Sequence, residues 1–219
     1  MQIKAIMFDL DGTLIDTLED LSQATNRVLE SRGFQPHDID VYRYFVGDGV
    51  KKLIERALPK EQRNETVINA CVAEFSKDYG RNSMVKTKPY KGIRELLDKL
   101  AARDLKLAIL SNKPHDLTVR IVTELLSDWN FSAVLGQRDS IPHKPDPCGA
   151  LEISHLLDIP PSDFLYVGDS AVDMKTAIAA GMFPVGVLWG FRPMKELQKN
   201  GAKALSERPS DIMRIIDDI

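Results

Sequence analysis

Cysteine is scarce in this sequence. The 219 residues include two cysteines, Cys71 and Cys148, in different segments. Neither belongs to a Cys-x-x-Cys pair or has a histidine at the spacing of zinc ligands, which argues against a zinc centre. We expect no disulfide, and this usage is typical of a reducing compartment.

Long apolar runs and blocks of like charge are also missing. Because no stretch of about 18 apolar residues occurs, we expect no membrane-spanning helix. The first residues lead directly into a short apolar run and a charged loop, unlike a signal peptide, so we expect a cytoplasmic protein. The formal net charge of -3 is unlike the basic surface of a nucleic-acid-binding protein. Neither a membrane nor nucleic acid is therefore expected as a partner.

Short apolar runs alternate with helix-period segments along the rest of the chain. This alternation is typical of an α/β fold with a parallel sheet, whose buried strands are nearly continuous apolar runs. A glycine, Gly181, follows one helical stripe and predicts a C-terminal cap. The runs that predict strands are residues 3–10, 105–110, 133–135, 164–167 and 184–188.

Residues 17–87 interrupt the alternation with three helical stripes and no strand pattern. The stripe that opens this block begins with Thr17, and Asp20 three residues later resembles the second half of a capping box. Because connections between parallel strands are usually short, the block predicts an inserted all-helical domain. The remaining residues, 1–16 and 88–219, would form the α/β core. The alternative is that these helices pack directly on the sheet.

The first predicted strand ends in an acidic segment. Residues 9–13 have the sequence Asp-Leu-Asp-Gly-Thr, so Asp9 and Asp11 can converge on one ion. Gly12 allows the backbone to turn tightly and to approach a ligand. Ligands of open α/β sheets bind beyond the carboxyl ends of the strands. Alone, the segment could also be an acidic turn that accepts backbone hydrogen bonds.

Polar residues also follow the other predicted strands. Ser111 and Asn112 lie at a predicted helix start, which suits an anion, although both are also common helix caps. Lys144 lies in a loop stiffened by prolines; a lone lysine is usually solvated. Asp169 follows the fourth strand, with Asp173 one helical turn later, and it could alternatively cap that helix.

Together these strand ends predict phosphoryl transfer with a divalent cation. Two carboxylates about 4 Å apart repel by about 4 kcal/mol at an effective dielectric of 20, and a bound phosphate adds to the repulsion. A cation that prefers oxygen ligands must offset these charges. Mg²⁺ suits a site with few carboxylates, substrate phosphate and water.

The motifs at these strand ends resemble, in the same order, the four motifs of the haloacid dehalogenase superfamily. They are Asp9-x-Asp11-Gly12-Thr13, Ser111, Lys144 and Gly168-Asp169-x-x-x-Asp173. With the helical block, the resemblance covers nearly the whole chain. It implies a Rossmann-like parallel sheet core with an inserted all-helical cap domain that closes over the substrate.

The resemblance implies a role for each acidic residue. Asp9 would attack phosphorus and form an aspartyl-phosphate. Asp11 would protonate the leaving oxygen and later activate water. Asp9, Asp11 through its backbone carbonyl, and Asp169 would hold Mg²⁺. Asp173 would order the groups around the metal.

The resemblance also implies a phosphate grip. Ser111, the Asn112 backbone and Lys144 would bind the phosphoryl oxygens. The residue types at these positions supply a hydroxyl, an amide and a cation. The predicted partner is therefore a small phosphorylated metabolite.

The expected substrate is 2-phosphoglycolate. Residues 46–58 resemble the cap signature of phosphoglycolate phosphatases, and residues 111–114 resemble the second motif of that subgroup. Arg56 could meet a substrate carboxylate but is more simply interpreted as solvated. A pyrophosphatase, a β-phosphoglucomutase-like phosphotransferase and a non-catalytic phosphometabolite-binding scaffold are alternatives, and both a monomer and a homodimer remain open. No Gly-x-Gly-x-x-Gly follows the first strand, which argues against a nucleotide-binding redox module.

Overall fold

The computed structural model describes residues 2–219. The chain divides into two compact units, Met1–Ile15 with Pro89–Ile219 and Asp16–Lys88. The first unit is named the sheet unit and the second the helical unit below. The α/β fold class is confirmed, because the sheet unit is built on a six-stranded sheet.

The main sheet is entirely parallel. Its strand order is β5-β4-β1-β6-β7-β8, so β1 lies inside the sheet between β4 and β6. Phe8 at the end of β1 pairs with Ile109 on one side and Val167 on the other, which brings the carboxyl ends of three strands to one edge. The strands of the chain are β1 (Ala5–Phe8), β2 (Ile15–Asp16), β3 (Lys88–Pro89), β4 (Lys106–Pro114), β5 (Ala133–Gln137), β6 (Phe164–Gly168), β7 (Phe183–Val187) and β8 (Ala204–Ser206).

The helical unit contains four α-helices, where the sequence predicts three. They are α1 (Leu18–Ser31), α2 (Ile39–Phe45), α3 (Val50–Ala57) and α4 (Glu65–Asn82), with a 3₁₀ turn at Lys60–Gln62. The additional helix is α2, in which Tyr42 is the buried residue while Ile39 and Tyr44 are exposed. A helix without a continuous apolar stripe gives no periodic signal in the sequence.

The capping box predicted at the start of α1 is wrong. Thr17 is the N-cap residue, but its side chain makes no capping hydrogen bond. Asp20 is buried and its carboxylate accepts hydrogen bonds from Lys86 N at 3.0 Å, Thr87 N at 2.9 Å and Thr87 Oγ1 at 2.7 Å. The Asp20 carboxylate therefore joins the entry and the exit of the helical unit, because it meets the donors of a segment 66 residues away in the chain.

The helices of the sheet unit present apolar faces to the core. They are α5 (Ile93–Ala101), α6 (His115–Leu125), α7 (Cys148–Leu156), α8 (Ala171–Ala180), α9 (Met194–Lys199) and α10 (Asp211–Asp217), with a 3₁₀ turn at Pro161–Asp163. In α5 the predicted stripe of Ile93, Leu96, Leu97 and Leu100 is fully buried. Burial of one such side chain contributes about 1.5–3 kcal/mol. Gly181 ends α8 in the left-handed conformation, with φ of 77°, as the sequence predicts.

The predicted helix start at Ser111 is also wrong. Strand β4 continues to Pro114, which pairs with Gln137 of β5, and α6 begins only at His115. A register shift lies between Leu110 and Pro114. The segment between these two paired positions stays within the strand, and Ser111, Asn112 and Lys113 are buried there.

The structure also bears on the expected absence of a disulfide and of a membrane-spanning helix. Cys71 is buried, Cys148 is exposed, and neither forms a disulfide. Across residues 2–219, no helix has the length and apolar character needed to cross a membrane.

Candidate active site

The acidic segment after β1 forms a tight turn at the edge of the sheet. Asp9 N donates to Val167 O at 2.9 Å and so extends the pairing between β1 and β6 by one residue. The carbonyl of Leu10 then accepts from the N–H groups of residues 13–15 and closes the turn. Gly12 has φ of 88°, and a Cβ there would lie 2.4 Å from Asp169 Oδ2. Glycine is therefore required both by the backbone conformation and by the carboxylate packed against it.

Lys144 lies at the centre of the buried charges. Its ammonium nitrogen is 2.8 Å from Asp9 Oδ1 and 2.7 Å from Asp173 Oδ1, and it also donates to Leu110 O at 3.1 Å. Asn112 anchors the loop that carries this lysine: Lys144 N donates to Asn112 Oδ1 at 2.8 Å, and Asn112 Nδ2 donates to Lys144 O at 3.1 Å. The Asn112 side chain therefore positions Lys144.

Asp169 and Asp173 follow β6 and have different surroundings. Asp169 Oδ2 accepts from Phe191 N at 2.6 Å. Asp173 Oδ2 accepts from both N and Oγ of Ser170, the N-cap residue of α8, at 3.1 Å and 2.6 Å. Asp173 thus completes the start of α8, and the alternative that Asp169 caps this helix is wrong.

Three carboxylates converge at this edge of the sheet. Oxygen atoms of Asp9, Asp169 and Asp173 all lie within 4.8 Å of one another, and all three residues are buried. Burial raises the pKa of Asp9 to about 7, against the opposing charge of Lys144. Burial also raises the pKa of Asp169, and the negative charges of Asp173 and Asp9 add to this effect. The cluster therefore resists full ionisation.

Lys144 is kept charged by the same cluster. Burial alone would lower the pKa of its ammonium group, but the charges of Asp173 and Asp9 raise that pKa well above its ordinary value. If all three carboxylates ionise, one ammonium leaves two of their negative charges uncompensated, and a bound cation would offset these charges. Carboxylate oxygens are the ligands that Mg²⁺ and Ca²⁺ prefer, so the donor chemistry fits a hard divalent cation.

The carboxylate of Asp11 is separate from this cluster. Asp11 Oδ1 lies 2.9 Å from Lys113 Nζ, and the two side chains are 12% and 4% exposed. The expected metal contact of Asp11 is through its backbone carbonyl, and this stays a prediction. Ser111 is also buried, and its Oγ accepts from Lys113 N at 3.2 Å.

Lys113 contacts Asp11 in the site, but it is not among the site residues that the motifs predict. A lone lysine is usually solvated, and its position next to Ser111 and Asn112 in the chain was the one available signal. Its partner Asp11 lies in a different strand-end segment, so the pair exists only in the folded chain.

The loop after β7 was missed as well. Trp189 Nε1 donates to Thr13 O at 2.9 Å, and a Cβ on Gly190 would lie 2.3 Å from Asp169 Cβ and 2.4 Å from Gly12 O. The loop thus packs directly on the acidic turn. The rule that ligands bind at the carboxyl ends of parallel strands could have indicated this loop, since β7 neighbours β6.

Arg56 lies in the helical unit, and its side chain is 34% exposed. Its guanidinium pairs with Asp48 Oδ2 at 2.6 Å and donates to Phe45 O at 2.9 Å. Both interpretations of Arg56, as a solvated side chain and as a ligand of a substrate carboxylate, stay predictions. These contacts stiffen the loop of residues 46–49 within the unit.

A sequence model described as haloacid dehalogenase-like hydrolase matches residues 6–187. The match includes β4, β6 and residues 6–8 of β1, and it contains Asp9, Asp11, Ser111, Lys144, Asp169 and Asp173. The chain belongs to the haloacid dehalogenase-like hydrolase family. The resemblance inferred from the four motifs is thereby confirmed.

Proteins similar to this chain are named phosphoglycolate phosphatases. The chain is 32% identical to a phosphoglycolate phosphatase of Aquifex aeolicus over 98% of its own length and 97% of the relative's. It is 35% identical to a phosphoglycolate phosphatase of Psychrobacter arcticus, with 91% and 89% covered. A crystal structure of a candidate phosphoglycolate phosphatase from Lactobacillus delbrueckii subsp. bulgaricus superposes with a TM-score of 0.93 at 30% identity, covering 99% of each chain. The family and these relatives identify the chain as a phosphatase, whose substrate is a small phosphorylated compound.

Proposed function

We propose that this phosphatase hydrolyses 2-phosphoglycolate to glycolate and phosphate through an aspartyl-phosphate on Asp9, with Mg²⁺ as its cofactor. The observation that carries the mechanism is the position of Asp9, buried at the end of β1 against Lys144 and two further carboxylates. The relatives named phosphoglycolate phosphatase, which align over nearly the whole chain, support the substrate.

In the first half of the reaction, Asp9 attacks phosphorus and the ester bond breaks. A bond forms between the Asp9 carboxylate and phosphorus, while Asp11 gives a proton to the leaving oxygen of glycolate. Ser111, the backbone of Asn112 and Lys144 hold the phosphoryl oxygens. Lys144 is suited to this task because its ammonium group is already directed at Asp9.

In the second half, water releases phosphate from the enzyme. Asp11, now ionised, takes a proton from the water that attacks phosphorus, and the Asp9 carboxylate leaves. Asp11 lies outside the carboxylate cluster, next to Lys113. The two aspartates thus have different environments and different roles.

The metal would be held by Asp9, the backbone carbonyl of Asp11 and Asp169, with Asp173 ordering the groups around it. Mg²⁺ supplies positive charge that lets several carboxylates and a phosphate dianion share one site. The excess of negative charge among Asp9, Asp169, Asp173 and Lys144 supports this assignment. The helical unit remains a predicted cap domain, and the cytoplasmic location remains a prediction from the sequence.

The decisive experiment is a phosphate-release assay over a panel of small phosphorylated compounds. The panel includes 2-phosphoglycolate, pyrophosphate, sugar phosphates and nucleotides, each with Mg²⁺ and with EDTA. We expect a strong preference for 2-phosphoglycolate, activity that EDTA removes and Mg²⁺ restores, and no turnover by Asp9→Asn. Trapping of labelled phosphate on the wild-type chain, absent from Asp9→Asn, would identify the intermediate.

Each part of the proposal can fail separately. A preference for pyrophosphate or a sugar phosphate would reject the substrate but keep the mechanism. Turnover by a clean preparation of Asp9→Asn would reject the nucleophile, and full activity in EDTA would reject the metal. Phosphate release from none of the compounds would favour a phosphotransferase or a non-catalytic binding scaffold.

A further inference from the structure

Lys113 is a buried charge that the proposed mechanism does not use. It lies in β4, and its side chain is 4% exposed, with Nζ 2.9 Å from Asp11 Oδ1. Burying an ammonium group costs free energy unless a partner compensates it. A lysine in this position therefore needs an explanation, and its contact with Asp11 supplies one.

The backbone of Lys113 is held on both sides. Its N–H donates to Ser111 Oγ at 3.2 Å, and its carbonyl accepts from Thr118 Oγ1 of α6 at 3.2 Å. The register shift in β4 between Leu110 and Pro114 turns this short segment out of the regular pairing. Because the backbone of Lys113 is anchored and its side chain is buried, the position of its ammonium group next to Asp11 is well fixed.

The ion pair is the contact that orients Asp11. Asp11 Oδ1 is buried, and among the residues that the structure describes it has no hydrogen-bond partner besides its ion pair with Lys113. The lysine thus holds an oxygen that would otherwise be unconstrained. The site contains two such pairs, Lys144 with Asp9 and Lys113 with Asp11, one for each half of the acidic motif.

We propose that Lys113 is a positioning residue, which holds the Asp11 carboxylate in the orientation required for proton exchange with the leaving oxygen. The inference rests on the acid–base role of Asp11 in the proposed function. Proton transfer requires hydrogen-bond reach and direction between the carboxyl group and the oxygen it serves. A displacement of about 1 Å can reduce the rate about 100-fold, so loss of the orienting contact impairs this step.

The test compares two substrates that differ in their need for a proton. The alkoxide that leaves from ethyl phosphate must be protonated, whereas p-nitrophenolate is stable without a proton. The comparison uses kcat/KM, which includes only the steps up to release of the alcohol and excludes hydrolysis of the phosphoenzyme. The ratio of the two kcat/KM values in one preparation does not depend on the fraction of active protein, so partial misfolding of a variant cannot imitate the effect.

Lys113→Met removes the charge and keeps the length of the side chain. We expect its kcat/KM to fall about 10-fold or more for ethyl phosphate and much less for p-nitrophenyl phosphate, since general acid catalysis typically contributes at least about 100-fold. Lys113→Arg, which keeps a cation, should retain more of the ethyl phosphate activity. Lys175→Met, at an exposed position in α8, is the matched control and should leave the ratio unchanged.

Asp11→Asn separates this inference from the function on which it rests. It should change the substrate ratio in the same direction, and Lys113→Met added to Asp11→Asn should change it no further. If Asp11→Asn changes the ratio but Lys113→Met does not, only the positioning role is overturned. Equal losses for both substrates in Lys113→Met would overturn it too, because they would indicate phosphoryl binding. If Asp11→Asn itself leaves the ratio unchanged, the acid role of Asp11 fails, and the inference fails with it.

Discussion

Lys144 Nζ lies 2.7 Å from Asp173 Oδ1, and both side chains are almost completely buried. The contact joins the loop before α7 to the first turn of α8. Ser170 holds the other oxygen of Asp173, so this carboxylate caps a helix and also anchors the lysine of the site. Structure and chemistry therefore depend on the same ion pair.

Lys144→Met should destabilise the protein as well as remove its activity. Without the lysine, Asp9 and Asp173 remain buried without this cation, and removal of one partner of a buried ion pair costs about 3–5 kcal/mol. Urea denaturation in EDTA measures the loss in the free energy of unfolding. Ser170→Ala is the control, because it removes a helix-cap hydrogen bond and should cost about 1 kcal/mol. Equal stability of Lys144→Met and the wild type would contradict the prediction.

The contribution of Asp9 to the stability of the metal-free protein should fall as the pH rises. The pKa of Asp9 is about 7 in the folded chain, against an ordinary value of 3.8, so between these values the folded state binds the proton more tightly than the unfolded state. The stabilising contribution of the protonated carboxyl is complete below the lower pKa and is lost as the pH rises through the higher one. Above the higher value the contribution no longer changes.

The measurement for this pH prediction is urea denaturation in EDTA at several pH values between about 4 and 8. The difference in unfolding free energy between the wild type and Asp9→Asn isolates the Asp9 carboxyl, because most other titrating groups are common to both. As the pH rises, we expect the unfolding free energy of the wild type to fall relative to that of Asp9→Asn. Parallel curves would show that Asp9 does not titrate in this range.

Gly190→Ala should impair the site through Asp169. A Cβ at Gly190 would lie 2.3 Å from Asp169 Cβ and 2.4 Å from Gly12 O, and the latter is backbone that cannot easily move aside. Such overpacking costs about 1–3 kcal/mol, and the displaced Asp169 should lower both metal affinity and turnover. Activity titrated against Mg²⁺ and urea denaturation measure the two effects.

Gly80→Ala is the matched control for this substitution. Gly80 lies within α4 and a Cβ there meets no atom within 4 Å. Because alanine favours the helix over glycine, this change should stabilise the protein by about 0.5–1 kcal/mol. If Gly190→Ala were as harmless as Gly80→Ala, the close packing around Asp169 would be disproved.

Asp20→Ala should destabilise the helical unit. It removes the acceptor of Lys86 N, Thr87 N and Thr87 Oγ1. Hydrogen bonds to charged groups contribute about 1.5–3 kcal/mol, and buried donors left unsatisfied add to the loss. We therefore expect a loss of at least about 2 kcal/mol in denaturation experiments.

Glu19→Ala controls for the position of Asp20 in α1. Both acids lie in the first turn, where a negative charge interacts favourably with the helix dipole. Unlike the carboxylate of Asp20, the carboxylate of Glu19 accepts its hydrogen bond at the surface, from Gln23. Its loss should cost about 0.5 kcal/mol or less. Similar losses for Asp20→Ala and Glu19→Ala would mean that the contacts with residues 86–87 contribute nothing.

The core elements were predictable because their signals are local. Apolar runs marked the five strands nearest to the site, and the stripe of α5 matched the residues that the structure buries. Strand β8 has only three residues, and β2 and β3 have two each, so all three give runs too short to recognise. Helix α2 was missed because its outward residues include apolar ones, which conceals the helical period.

Errors at the ends of elements share one physical origin. Ser111 and Asn112 have side chains typical of a helix start, but strand β4 continues through them to Pro114, which pairs with Gln137 of β5. Asp20 has the spacing of a capping box, but its carboxylate meets donors that local spacing cannot reveal. For Asn112, which bonds the Lys144 backbone, and for Asp20, a tertiary contact replaced the local hydrogen bond that the same side chain could have made.

The sequence by itself determined the alternation of strands and helices, the break at the helical block and the four motifs at the strand ends. These follow from periodicity and from residue types along a few neighbouring positions, and they were sufficient to indicate the family. Only the tertiary structure decided which charges meet: Lys144 with Asp9 and Asp173, and Lys113 with Asp11. Because burial and the charges of distant neighbours set the partner and the pKa of an ionisable side chain, neither can be derived from its place in the chain.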